Sequence, residues 1–342
     1  MASSSAPQAG RRPTIEDVAR LAGVSRGTVS RVINGGRNVR PAVLDAVNAA
    51  IDALGYSVNQ AARNLARGRT GSIAFVISDR EERLFEDPNF GLFARVFSRH
   101  LRKTGRHLLI TTAQDEQEEN FLGDYLTLGH VDGALLALTH EEEPLLGRLL
   151  SQRLPLVVLG KPLGFEDAFS WVAIDDEKAA FTVVSHLVGR VEGAIGTVTG
   201  PLHTSSGRER LDGYRRALGN QFRPELVATG DWSLSSGQRG AEQLLARDPG
   251  LRGLFVASDL MAVGAMSALR EAGRRVPRDV AVVGFDNSAA ATMVDPALTT
   301  MRNPIEQTAL EALRILDDQI AGRVRRPVHV LLSSELVERG SG

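Results

Sequence analysis

Residues 14–34 read as two short helices, each with its own start and stop signals, around the tight turn Ala22-Gly23-Val24. Thr14 is placed to cap the first helix, and Ile15, Val18, Ala19 and Ala22 recur at i, i+3, i+4 and i+7. Glu16 and Asp17 fall in the first turn, where the helix dipole favours negative charge. Gly23 is free to adopt positive φ just past the end, and Ser25 is placed to cap a second helix whose Val29, Val32 and Ile33 face inward. The outer face of that helix carries Arg26, Gly27, Ser30 and Arg31. A turn this short sets two helices at a steep angle, the geometry with which a helix enters a DNA major groove, and an arginine fork matches guanine O6 and N7. A third helix is predicted from Pro41, with Leu44, Val47, Ile51 and Leu54 as its apolar stripe and Gly55 behind it.

Two paired helices would also suit any helical bundle, but the charge distribution argues for nucleic acid. Residues 1–69 hold ten Arg, no Lys and four Asp or Glu, a net +6, whereas the remaining 273 residues carry −7 to give −1 overall. A basic head on an acidic body attracts phosphates locally without making the whole molecule adhesive to polyanions. Beyond residue 70 the pattern changes to short apolar runs alternating with helical stretches. The runs are Ser72–Ile77, Leu108–Thr112, Ala134–Leu138, Leu156–Leu159, Val172–Ile174, Ala194–Val198, Leu254–Ala257 and Val280–Phe285. This alternation predicts parallel strands with crossover helices, and about 270 residues suffice for two such cores with a cleft between them.

Asp17-Val18-Ala19, Ala22 to Ser25, Thr28 to Asn34, Leu54-Gly55-Tyr56 and Asn59 to Ala66 together resemble, in order and in register, the DNA-binding headpiece of the lactose-repressor (LacI) family of bacterial transcription regulators. The resemblance implies a fold of an N-terminal all-α helix-turn-helix headpiece followed by an α/β, two-lobed, periplasmic-binding-protein-like core. The expected organisation is a tail over 1–13, a headpiece over 14–58, a hinge helix or linker over 59–70 and an effector-binding core over 71–342. The first lobe is expected at about 71–170 and 302–327 and the second at about 171–301 and 328–342, with crossings near Ser170, Met301 and Pro327. By the same resemblance Arg26, Gly27 and Arg31 face bases, while Thr14, Ser25, Thr28, Ser30, Asn34, Asn38, Tyr56 and Asn59 hold the DNA backbone. With no side chain on Gly27, direct readout rests on the two arginines and predicts a G·C-rich half-site. Residues 60–67 match a hinge helix that forms on the operator; Ala62 and Leu65 would lie in the minor groove, with Leu65 wedged into the central base step.

For the core, the resemblance makes Arg210 the first choice for effector binding, ahead of Arg208, with Asp286 accepting bonds from sugar hydroxyls and Trp232 stacking on a sugar ring. Ser258 stands where many sugar-responsive members carry Asn, and Gly160 and Ile305 stand where some carry an acid and an aromatic; the lost side chains suggest a di- or oligosaccharide. Phe90 either touches ligand or packs the first lobe, and Arg210 and Asp286 could instead pair with each other in an empty cleft.

The chain contains no cysteine, so disulfides and thiolate metal sites are excluded. Gly23-Val24-Ser25-Arg26-Gly27 matches G-x-S-x-G formally, but a helix rather than a strand precedes Ser25. His140-Glu141-Glu142-Glu143 lacks the second histidine of a zinc helix. No catalytic constellation, cofactor motif, signal-peptide core or membrane span is read from the sequence. The expectation is a cytoplasmic, homodimeric, non-enzymatic regulator, most simply a repressor released from a palindromic operator by a sugar; a purine- or other metabolite-responsive corepressor type is the alternative.

Overall fold

The computed structural model describes residues 13–33, 39–56, 69–79, 81–137, 140–141 and 143–342. It divides into two compact units, Met1–Thr70 and Gly71–Gly342.

In the first unit, helices α1 (Ile15–Ala22), α2 (Arg26–Ile33) and α3 (Pro41–Leu54) enclose a small core of Val18, Ala19, Val29, Val32, Val47 and Ala50. The expected caps are present. Asp17 N donates to Thr14 Oγ1 at 3.4 Å and Thr14 N donates to Asp17 Oδ2 at 2.9 Å, a reciprocal box at the start of α1. Gly23 closes α1 at φ 66°, and Ser25 Oγ accepts from Thr28 N at 3.2 Å at the start of α2. One expected core residue is corrected. Leu44 is 41 % exposed, because the inward stripe of α3 runs through Val43, Val47, Ala50, Ile51 and Leu54, one residue round the helix from it.

The second unit holds two six-stranded sheets. The first has the order β11-β5-β4-β3-β1-β2, with β1 at Ser72–Ile77, β2 at His107–Thr112, β3 at Gly133–Ala137, β4 at Leu156–Leu159, β5 at Ser170–Ile174 and β11 at His329–Leu332. The second has the order β12-β10-β9-β8-β6-β7, with β6 at Ile195–Thr199, β7 at Val227–Thr229, β8 at Gly253–Val256, β9 at Ala281–Asp286, β10 at Thr299–Arg302 and β12 at Glu335–Val337. All pairs are parallel except β10 with β12. Helices cover both faces of each sheet. Phe75, Phe93, Phe97 and Leu313 pack on one face of the first sheet, and Val76, Leu122, Leu136 and Leu146 on the other. In the second sheet Val198 and Val256 meet Leu244, Met261 and Ala265 of the helices Leu234–Arg247 and Asp259–Glu271. Burial on both faces is why β1, β3, β4, β8 and β9 are near-continuous apolar runs.

The chain passes between sheets after Ile174, after Arg302 and after Leu332; the second crossing falls where expected, near Met301, while the other two come later than Ser170 and Pro327. Two of the expected boundaries lie ahead of strands that belong to the first lobe: β5 pairs with β4, and β11 pairs with β5 from His329↔Trp171 to Leu332↔Ile174. No helix among the described residues is long and apolar enough to cross a membrane.

Candidate functional sites in the headpiece and the cleft

The sequence of α2 puts three small or β-branched side chains inward and leaves Arg26, Gly27 and Arg31 exposed on the opposite face. Both guanidinium groups are held by light local contacts: Arg26 Nε lies 3.3 Å from Glu16 Oε1, and Arg31 Nε donates to the Gly27 carbonyl at 3.4 Å. Neither contact is buried, so both arginines can exchange it for an external acceptor with little loss. Nothing lies within 3.8 Å of the Cβ position of Gly27, which leaves a flat stretch between the arginines. Ser25 precedes α2 as its cap and Thr28 and Ser30 lie on the helix, while Thr14 and Tyr56 lie on the same unit, half-buried. Asn34, Asn38, Asn59, Ala62 and Leu65 lie outside the described residues.

Within the second unit, the carboxyl ends of the parallel strands converge on one cavity, whose empty space including its open mouth is about 920 Å³. Arg210, Asp286, Trp232, Ser258 and Phe90 all line it, as do Gly160 and Ile305. Arg210 sits in the helix Ser205–Leu218, which Thr204 caps by accepting from Gly207 N at 3.2 Å. Its Nε donates to Asp176 Oδ1 at 2.6 Å, its Nη1 donates to the Ala257 carbonyl at 2.6 Å, and its Nη1 lies 3.8 Å from Asp286 Oδ1. Its guanidinium lies 3.7 Å from the centroid of Phe285 and 5.4 Å from that of Trp232. One buried cation thus faces two buried carboxylates. Loss of hydration pushes the Asp176 carboxyl up, and pushes Asp286 well above its ordinary range, against the opposing pull of Arg210.

Trp232 and Asp286 are held at positive φ, 69° and 111°, conformations that L-residues adopt only under constraint from their surroundings. For Trp232 the constraint is visible: its ring lies where a Cβ on Gly200 would be, 2.1 Å from that position, so a glycine is required opposite it. Its Nε1 is buried without a hydrogen-bond partner, and the residue borders the cavity. Asp286 accepts from Asn303 Nδ2 at 3.4 Å. Ser258 accepts from Met261 N at 3.3 Å and so caps the helix behind it while lining the cleft. Phe90 packs in the first lobe, its ring 6.5 Å from that of Phe75, and also borders the cavity. Arg208 turns away from the cavity toward Glu141.

Several lining residues were not anticipated. Asp176 is the principal partner of Arg210, so pairing across the cluster exists but not chiefly with Asp286. Arg83, 1 % exposed, sits between Asp79 and Asp87 at 3.4 and 3.0 Å, and its Nη1 has no hydrogen-bond partner. Its signal was the i±4 spacing of acids on either side. No cluster of His, Cys, Asp and Glu among the described residues has the arrangement of a metal site.

Residues 14–59 match the bacterial regulatory proteins of the lacI family, and residues 184–342 match the periplasmic binding protein-like domain. The HTH-type transcriptional regulator CelR of Thermobifida fusca is 41 % identical over 336 residues, covering 97 % of this chain and 99 % of that protein. Among solved structures, a transcriptional regulator CelR–cellobiose complex superposes with a TM-score of 0.77 at 39 % identity, covering 97 % of this chain and 100 % of the other. The lac repressor dimer bound to operator and the anti-inducer ONPF gives 0.86 at 26 % identity, covering 97 % and 99 %.

Proposed function

This chain belongs to the LacI family of bacterial regulatory proteins, and from that premise we propose that it is a homodimeric transcriptional repressor whose grip on operator DNA is controlled by a sugar bound in the cleft. Arg26 and Arg31 read base edges, while Thr14, Ser25, Thr28, Ser30 and Tyr56 set register on the phosphates. Asn34, Asn38 and Asn59 complete the backbone contacts, and Ala62 and Leu65 act in the minor groove. Two-fold symmetry matches two half-sites of a pseudo-palindrome, and linking two weak heads raises affinity beyond that of either.

The observation that carries the effector half is the composition of the cavity. A buried arginine flanked by two carboxylates, beside an indole with an unsatisfied N–H, provides donors, acceptors and an apolar ring face together. That is the complement of a polyhydroxylated ring, which presents hydroxyls at its edge and C–H groups on its faces. The similarity to a regulator solved with cellobiose supports a disaccharide over the corepressor alternative. Sugar binding trades the Arg210–Asp286 contact for hydroxyl contacts and shifts the dimer between DNA-holding and DNA-releasing states by its differential affinity for the two, typically about 1–3 kcal/mol. The chain turns over no substrate and works in the cytoplasm, where bacterial DNA is.

The test is direct. Duplexes selected from a random pool by the full-length protein are titrated by fluorescence anisotropy with and without cellobiose and a panel of mono- and disaccharides, and the same sugars are screened by thermal shift. A ligand at 100 times its dissociation constant should stabilise the protein by about 2.7 kcal/mol and release the selected duplex. Selection of no preferred duplex would overturn the DNA half; a preferred duplex that no sugar releases would overturn the effector half.

A further inference from the structure

The two lobes also meet at a junction made by backbone contacts and by the side chains of Glu141, Lys161, Arg208 and Glu209, none of which lines the cavity. Glu141 N donates to the His203 carbonyl at 2.9 Å, and His140 forms an isolated antiparallel bridge with Thr204. The rings of His140 and His203 lie 4.6 Å apart. Arg208 grips Glu141 with both ends of its fork, Nη1 donating to Oε1 at 3.2 Å and Nη2 to Oε2. Lys161 Nζ donates to Glu209 Oε1 at 2.7 Å in a pair only about one-quarter exposed, at 26 and 23 %.

Each half of this junction is braced within its own lobe. His140 Nε2 donates to the Ser78 carbonyl at 2.8 Å, and the buried carboxylate of Glu143 accepts from His140 N at 3.0 Å and from Ser78 Oγ at 2.8 Å. On the other side Arg208 Nε donates to the Leu202 carbonyl at 2.6 Å, fixing the turn that carries His203. Surfaces braced before they meet lose little conformational freedom on meeting, the condition under which ion pairs of modest individual strength add up.

We propose that these contacts are a latch: Glu141–Arg208 and Lys161–Glu209 set the balance between open and closed lobes, and through it the affinity of the cleft, without touching the ligand. The latch rests on the reading of the cavity as the effector site. A ligand that binds only closed lobes has an apparent dissociation constant equal to the intrinsic one divided by the closed fraction. Glu141, Arg208, Lys161 and Glu209 are therefore positioning residues for the response.

The absence of cysteine makes the test clean, since Gln152→Cys and Gln243→Cys, at exposed positions on the first and second lobes, supply the two label sites. Interlobe distances are measured by pulsed EPR in the ligand-free full-length protein mixed with an excess of unlabelled chains, so that distances within one subunit are read, and cellobiose affinity by calorimetry. Glu141→Arg and Arg208→Glu alone each place like charges across the junction; each should lengthen the distances and weaken cellobiose binding about three- to tenfold. The double variant, with the pair reversed, should restore both. Singles with unchanged distances, or a double variant as open as the worse single, would overturn the latch. The same cycle at Lys161 and Glu209 covers a failure of Arg208→Glu to fold. Distances that respond as expected in a protein that binds no sugar would leave the latch standing and remove the effector reading instead.

Discussion

Replacing Arg210 with alanine is the sharpest perturbation that the cleft offers. The side chain is 8 % exposed and its guanidinium lies between Asp176, at 2.6 Å from its Nε, and Asp286, at 3.8 Å from its Nη1. Its removal leaves two buried carboxylates without their shared buried cation, with only the more distant Lys161 acting on Asp176. Breaking a buried pair by deleting one partner costs about 3–5 kcal/mol, which for a core of this size corresponds to a fall in Tm of roughly 6–20 °C. The loss has a pH signature. Both carboxyls are held above their ordinary range by burial, so the native state binds protons that the unfolded chain releases above about pH 4. Their contribution is thus fully present at low pH and declines as pH rises, and without Arg210 the decline is steeper. Urea denaturation of Arg210→Ala and the parent at pH 5 and pH 8 should show the larger gap at pH 8. A gap that is equal at both values, or larger at pH 5, would refute the idea that Arg210 serves to keep two desolvated carboxylates charged.

Other expectations follow from the same geometry. Arg31→Ala should weaken binding to a selected operator by about 1–3 kcal/mol while leaving binding to random duplex nearly unchanged, as read by anisotropy at fixed salt; equal loss on both would deny it a base-reading role. Trp232→Ala should abolish the thermal shift given by cellobiose while operator binding persists, since the indole lines the cleft of the second unit and the base-facing arginines belong to the first. Glu119, pushed up to about 7 by burial with help from the nearby Glu143, is neutral in the folded state at mildly acidic pH. Its contribution is lost as pH climbs from about 4.5 toward 7, so Glu119→Gln should flatten the stability profile in that window, and an unchanged slope would count against the assignment.

How far the sequence alone reached can be traced residue by residue. The headpiece was legible because its signals are local: Thr14, Gly23, Ser25, Pro41 and Gly55 punctuate helices whose inward positions follow a 3.6 period. Strands β1 and β4 were readable to the residue because both faces are covered and every position is apolar or nearly so. Strands β7, β10, β11 and β12 were not, being three or four residues long, mixed in polarity and fixed by pairing with distant segments. The lobe boundaries slipped for the same reason, since β11 joins the first sheet only through its neighbour β5. Asp176 escaped notice because two acids at a helix start, Asp175 and Asp176, both look like dipole partners. In the fold Asp175 Oδ1 accepts from Lys178 N at 3.0 Å as the cap, and Asp176 turns inward to Arg210.

The attachment points of the cavity side chains carry one more implication. Gly160, Asp176, Trp232, Ser258, Asp286 and Asn303 each sit at the exit of a strand or within three residues after it, while the interiors of those strands are sealed under helices. Exchange of an exit residue such as Gly160, Ser258 or Asn303 alters the lining of the cleft and leaves the strand interiors untouched, whereas Trp232 and Asp176 are tied into the packing as well. A lineage built on this plan can drift among ligands through isolated substitutions, each selectable on its own, long before its architecture has to change.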